Sequence, residues 1–359
     1  MSDPFNPYAA EHAAPAGPGD ARPTAFQIVK DEGRVGKLSD KVIFITGASS
    51  GLGIETARAL HETGAKLYLG VRDLEKGKKV VDDILSKSTI NGDIELLQIG
   101  LDSLESVRKA AEEFKTRSGK LNILINNAGK QIAPRHRSHA SSRLNTAVAG
   151  IMALPHRTLT QDGHEAQFAT NHLAHFLLFQ LLKPLLLSSA SPAFSSRVVA
   201  LSSLSHRVGT INFDDLTLKD NYHPFLAYGQ SKLANLWMAN HITRLYAPQN
   251  LFANAVHPGV IFTPLVKHMD AAELEEVRQD EEKMKGIKSV EQGAATTVWA
   301  AVGKCWEGKG GKYLENVRVS PPAPEDADFI VEGYSKLAYD EAGEKKLWET
   351  SNALVGFED

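Results

Sequence analysis

From Lys41 onward, short apolar runs alternate with longer amphipathic stretches. Six runs stand out: KVIFITG (Lys41 to Gly47), AKLYLGV (Ala65 to Val71), IELLQIGL (Ile94 to Leu101), LNILINNAG (Leu121 to Gly129), SRVVALSS (Ser196 to Ser203) and LFANAVHPG (Leu251 to Gly259). Each is rich in Val, Ile, Leu and Ala with little alternation, as expected of strands buried on both faces. Between them lie segments of helical length, among them Gly53 to Gly64, Ser103 to Gly119 and Tyr228 to Ala247. Strand and helix in alternation predict a parallel sheet covered on both sides, an α/β doubly wound Rossmann domain. The most apolar run, Phe176 to Leu187, is interrupted by Gln180, Lys183 and Pro184 and is too short to span a membrane; a buried helix is expected there.

Composition narrows the class without naming a function. The chain has 359 residues, is 42% hydrophobic and carries a net charge of -3, so no global field gathers nucleic acid or an anionic membrane. Its one cysteine, Cys305, excludes an internal disulfide and fits a reducing compartment, and no secretory leader is visible, so a cytoplasmic protein is expected. Residues 1 to 22, rich in Pro, Ala and Gly, read as a disordered tail ahead of a single catalytic domain over residues 23 to 350. Thirteen histidines give no spacing backed by carboxylates that would hold a metal, although His172 and His175 lie three apart on a helix.

The first strand runs straight into T-G-A-S-S-G-L-G, Thr46 to Gly53, and then a helix. Gly47 permits a tight turn, while Gly51 and Gly53 let the backbone approach a pyrophosphate that the helix N-terminus attracts. Ser49 and Leu52 of the same loop are further candidate contacts. At the end of the second strand, where an acidic side chain would grip a ribose 2'-hydroxyl, stands Arg72, which can pair with a 2'-phosphate and favours NADP(H); Asp73 follows it directly, and a solvated arginine is the alternative. Asp102, after the third strand, is placed to accept a hydrogen bond from an adenine amino group.

Tyr228 and Lys232, in Y-G-Q-S-K, lie four apart and so share one helix face. A nearby ammonium stabilises a phenolate and brings a tyrosine toward acid-base work at neutral pH, although such pairs also occur on ordinary surface helices.

T-G-x-x-x-G-x-G, N-N-A-G, Ser-Ser after the fifth strand, Y-x-x-x-K and H-P-G follow one another in an order that resembles the short-chain dehydrogenase/reductase family over roughly residues 38 to 320. NHLAHFLL, RVVALSSLSH and YGQSKLANLW resemble its retinol-dehydrogenase-like and WW-domain-oxidoreductase-like branch. The resemblance implies Tyr228 as acid-base, Lys232 as its partner and ribose ligand, Ser203 on the substrate oxygen, and Asn171 holding a water that links Lys232 to solvent. It also implies Asn127 by the cofactor ribose, Pro258 and Gly259 against the nicotinamide, and Ile261 and Thr263 at its carboxamide. The expected activity is NADP(H)-dependent interconversion of an alcohol and a carbonyl on a small, fairly apolar substrate, with a non-catalytic dinucleotide-binding regulator as the alternative. Residues from about 264 to 290 would form a variable substrate lid; the oligomeric state is not legible.

One segment breaks the pattern. Gly129 and Asn171 are 42 positions apart, and the excess over a compact connection is a basic stretch, residues 130 to 150, with Lys130, Arg135, Arg137 and Arg143 and no acid. Without it the net charge moves from -3 to -7. It is read either as a basic lid or partner-binding loop, or as a translated short intron. The second fits the codons available to Gly129-Lys130 and Ala149-Gly150, which accommodate a donor and an acceptor whose excision stays in frame.

Overall fold

The computed structural model describes residues 3–128, 154, 156–262, 275, 279–325 and 331–358. Among these, eight strands form one sheet in the order β3-β2-β1-β4-β5-β6-β7-β8, comprising β1 (Val42–Thr46), β2 (Lys66–Val71), β3 (Ile94–Gln98), β4 (Ile123–Asn126), β5 (Ser196–Leu201), β6 (Leu251–Val256), β7 (Tyr313–Glu315) and β8 (Arg318–Val319). All neighbours run parallel except the closing β7–β8 pair. The six expected strands are the first six.

Successive side chains of a strand point to opposite faces, which divides the core in two. Phe44, Tyr68, Leu124 and Val198 face helices Leu104–Arg117, Ala174–Ser189, Pro224–Tyr246 and Glu341–Val355, whereas Ile43, Ile45, Leu69 and Val199 face helices Ala25–Asp31, Leu52–His61, Leu74–Lys87 and Ala295–Val302. The stretch around Phe176 to Leu187 is the buried helix the sequence predicts. Among the described residues no helix is long and apolar enough to cross a membrane.

After β3 the chain returns past β1 to place β4 on its other side, so winding reverses between β1 and β4. In doubly wound sheets the crevice at the carboxyl ends of such strands is where a ligand binds.

The expected disordered tail requires correction. Residues 3 to 22 are placed against the domain: Phe5 packs edge-on to Trp306 with centroids 5.4 Å apart and accepts a hydrogen bond from Val319 N, and Arg22 is 4% exposed. Low-complexity composition misleads here because the anchors are single side chains and backbone groups, not an apolar stripe. The basic stretch 130 to 150, and residues 264 to 274 and 276 to 278 of the expected lid, lie outside the described residues; helix Glu281–Gly286 falls within the lid's second half.

Candidate active site

The Gly-rich loop leaves β1 with Gly47 at φ +70° and Gly51 at φ +54°, conformations that disfavour any side chain. A Cβ on Gly53 would lie 2.3 Å from Gly47 O, and one on Gly47 would lie 2.7 Å from Ala128 Cβ, so loop, helix and the N-N-A-G strand end are in direct contact. Helix Leu52–His61 begins at Gly51 without a side-chain cap, so no side chain occupies its N-terminal donors at the carboxyl end of β1. Ser49 and Leu52 are half-buried on this loop. Asn127 Nδ2 donates to Thr46 O at 3.0 Å, which fixes the amide beside the loop.

Arg72 is exposed at the carboxyl end of β2. Asp73 is committed elsewhere: its Oδ1 accepts from Lys76 N at 3.0 Å and caps helix Leu74–Lys87. Asp102 is half-buried and lines a cavity with Ser103, Leu159 and Thr160. Beyond β6, Gly259 has φ +99°, and Pro258 O accepts from the buried Lys288 Nζ at 3.5 Å. Ile261 is 6% exposed, whereas Thr263 lies outside the described residues.

Tyr228 and Lys232 are both buried on helix Pro224–Tyr246, with Nζ 5.4 Å from the phenol ring centroid. The helix can approach the β5 end because residue 229 is glycine; a Cβ there would lie 2.6 Å from the carbonyls of Ser205 and Val208. Lys232 Nζ donates to Leu201 O at 3.1 Å, and burial pushes its pKa down to about 8. Burial pushes the Tyr228 phenol up to about 12, opposed by the hydrogen-bonding Ser203 hydroxyl. The sequence-level expectation that Lys232 lowers this phenol is therefore outweighed in the protein alone: desolvation of a buried phenol exceeds the help it receives.

The two serines after β5 separate clearly. Ser202 Oγ donates to Lys232 O at 2.8 Å and ties the helix to the strand, while Ser203 begins the turn Leu204–Arg207 with its Oγ accepting from Ser205 N at 3.2 Å. Ser203 is thus the serine at the phenol. Asn171 sits in a π-helical turn, Ala169–Leu173, where its Nδ2 donates to Ser231 Oγ at 2.9 Å, and Ser231 Oγ donates to Tyr228 O at 2.7 Å.

A residue that spacing alone did not single out completes this network. His175 Nδ1 lies 3.0 Å from Asn171 O, which can only accept, so Nδ1 carries the proton and Nε2, 2.9 Å from Thr46 Oγ1, accepts from that hydroxyl. Thr46 Oγ1 in turn accepts from Asn127 N and Ala128 N, each at 3.1 Å. A continuous chain of hydrogen bonds therefore joins the Gly-rich loop and N-N-A-G to the Tyr228 helix. The available signal was position: His175 falls four residues after Asn171, on the same helix face.

The model of the short chain dehydrogenase family matches residues 41–274. This chain belongs to that family. It is 46% identical over 339 residues to the short-chain dehydrogenase/reductase prx1 of Penicillium roqueforti, covering 94% of this chain and 92% of the relative. Human retinol dehydrogenase 13 is 34% identical, with 89% and 86% covered, in keeping with the retinol-dehydrogenase-like branch. A crystal structure of an uncharacterised protein from Mycobacterium paratuberculosis superposes with a TM-score of 0.60 at 30% identity, covering 89% of this chain and 94% of that one.

The short-chain dehydrogenase fold binds a nicotinamide dinucleotide, and the residues fit one. Gly47 and Gly53 let the loop, the helix start and the N-N-A-G strand end close tightly on one another, the helix start has no side-chain cap, and buried Asn127 Oδ1 and Asn171 Oδ1 have no hydrogen-bond partner among the described residues. Among the described residues no group of three His, Cys, Asp or Glu is placed to hold a metal ion.

Proposed function

We propose that this oxidoreductase interconverts an alcohol and a carbonyl on a small, fairly apolar substrate, with NADP(H) as its coenzyme. The observation that carries the reading is the meeting of Ser203, Tyr228 and Lys232 at the carboxyl end of β5, with Asn171 tied to the same helix through Ser231. Pro258 and Gly259 follow β6, the next strand of the sheet.

A nicotinamide dinucleotide held in the crevice would supply or accept the hydride. Ser203 Oγ and Tyr228 Oη hold the substrate oxygen and polarise its bond to carbon. In reduction Tyr228 Oη gives its proton to that oxygen, a step suited by a phenol that burial keeps protonated. In oxidation the phenolate must form first, and the Lys232 ammonium is the nearby charge that stabilises it. Ser202 and Ser231 hold the helix that carries both groups.

Coenzyme choice rests on the division of labour between Arg72 and Asp73. Asp73 caps its own helix, which leaves the exposed Arg72 guanidinium as the charged group at the β2 end suited to a 2'-phosphate. The name of the human relative points to an apolar alcohol as substrate class. A panel of apolar aldehydes, ketones and alcohols, read by absorbance with NADPH or NADP against NADH or NAD, tests the reading. Turnover restricted to the NAD pair would refute the coenzyme assignment; binding of either dinucleotide with no turnover across the panel would favour the non-catalytic alternative.

A further inference from the structure

Arg22, which composition assigns to the tail, is held as a buried core residue would be. Its guanidinium donates to Gly17 O at 3.0 Å, Lys285 O at 3.3 Å, Gly286 O at 3.1 Å and Ile287 O at 2.6 Å, and pairs with Asp20 at 2.8 Å. Three of those carbonyls close helix Glu281–Gly286, which otherwise leaves acceptors unsatisfied at its C-terminus.

Gln292, 2% exposed, makes the second attachment. Its Oε1 accepts from Gly19 N and Ser289 N, each at 2.9 Å, and its Nε2 donates to Asp20 Oδ1 at 2.9 Å, Arg22 O at 3.0 Å and Asp20 O at 3.2 Å. The hydrogen-bonding capacity of the amide is fully used, mostly on the segment from Gly19 to Arg22.

Beyond Gln292 the contacts lead directly to the cofactor crevice. A Cβ on Gly293 would lie 2.7 Å from both Leu52 Cδ2 and Ile261 Cγ1, so this backbone is pressed between the Gly-rich loop and the loop after β6. Lys288 N donates to Val260 O at 2.9 Å, and residues 261 and 288 pair as a parallel bridge. Residues 285 to 293 therefore connect the N-terminal segment to two of the positions expected to grip a dinucleotide.

We propose that the segment Gly17 to Arg22 is part of the scaffold of the dinucleotide site, with Arg22 and Gln292 as positioning residues that hold Leu52 and Ile261 in place without touching the cofactor. The proposal rests on the dinucleotide reading of the crevice. Because linkage is reciprocal, a cofactor that binds better when the segment is docked must also hold the segment down.

Two measurements test it on the full chain. NADPH and NADH are titrated by fluorescence into the wild type, Arg22→Ala, Arg22→Lys and Gln292→Glu. Arg22→Ala and Gln292→Glu should weaken the preferred coenzyme at least about tenfold, and Arg22→Lys should recover part of that loss. In the wild type alone, hydrogen–deuterium exchange at residues 17–22 should slow when that coenzyme is added, a result that does not depend on the variants folding. A lowered melting temperature with coenzyme affinity within about twofold of wild type, or exchange at 17–22 indifferent to coenzyme, would overturn the proposal while leaving the functional reading intact. A wild type that binds neither coenzyme would overturn both.

Discussion

His175 offers a direct test of the hydrogen-bond chain through the site, because its protonation state is fixed by its partners. It is 1% exposed, and burial, with the Lys232 charge acting the same way, pushes its pKa down to about 4 from 6.5, against the Asn171 carbonyl that favours the proton. A second proton would set Nε2–H against Thr46 Oγ1, which already accepts two backbone N–H groups. With the folded pKa depressed, the unfolded chain takes up the proton first as pH falls. The contribution of His175 is thus fully present above the unfolded pKa and is lost as pH falls from about 6.5 toward about 4. Between about pH 7 and about pH 5 the loss is about 2 kcal/mol for this one side chain. His175→Gln removes the titration. The variant should be less stable near neutrality by about 1 to 3 kcal/mol, because one partner of a buried pair is left unsatisfied. Its further loss on acidification should be smaller than that of wild type by about 2 kcal/mol. Urea unfolding followed by tryptophan fluorescence at the two pH values measures both. His206 and His257, whose pKa values burial also lowers, to about 4 and about 3, are present in both proteins and cancel in the comparison, whereas His172, lowered to about 3 by burial first and in small part by the His175 charge, is relieved only of that smaller contribution in the variant. Identical acid slopes for wild type and variant would refute the assignment of a neutral His175 bridging Thr46 and Asn171.

Tyr228→Phe should cost turnover about a hundredfold or more while leaving NADPH affinity within a few-fold, since the ring still packs and only the transferable proton is gone; substantial residual activity would remove Tyr228 from the acid-base role. Lys232→Ala should lower both turnover and coenzyme affinity, as steady-state kinetics and NADPH titration would show. Arg72→Ala should shift the NADPH to NADH affinity ratio by roughly ten- to a hundredfold toward NADH, and an unchanged ratio would return Arg72 to the solvated surface. Deleting residues 130 to 150 should preserve or raise stability and turnover. A mature transcript that retains these codons, together with a deletion protein that loses turnover, would make the segment a functional loop.

What was legible in the sequence and what was not divide along a physical line. Buried parallel strands announce themselves through continuous apolar runs, so β1 to β6 could be read directly, as could the glycine-dependent turn between β1 and its helix. β7 and β8 could not: they have three and two residues, and their turn places Asn316 and Val317 at φ +51° and +54°. A β-branched residue is the wrong sign for such a turn, and Val317 holds there because it is 1% exposed and its N–H bonds Thr296 Oγ1 at 3.1 Å, a tertiary cause that local sequence does not contain. The same limit governed the site. Spacing put Tyr228 and Lys232 forward and the family resemblance added Ser203, whereas Thr46, His175 and Ser231 act through partners on other elements, and only the closed sheet brings those partners within reach. Composition erred most at the N-terminus, because proline, alanine and glycine predict chain entropy but say nothing of one arginine meeting three helix-end carbonyls. A single buried cation with four carbonyl acceptors can order a segment that has no apolar stripe, since withdrawing it would leave several buried acceptors unpaired at once.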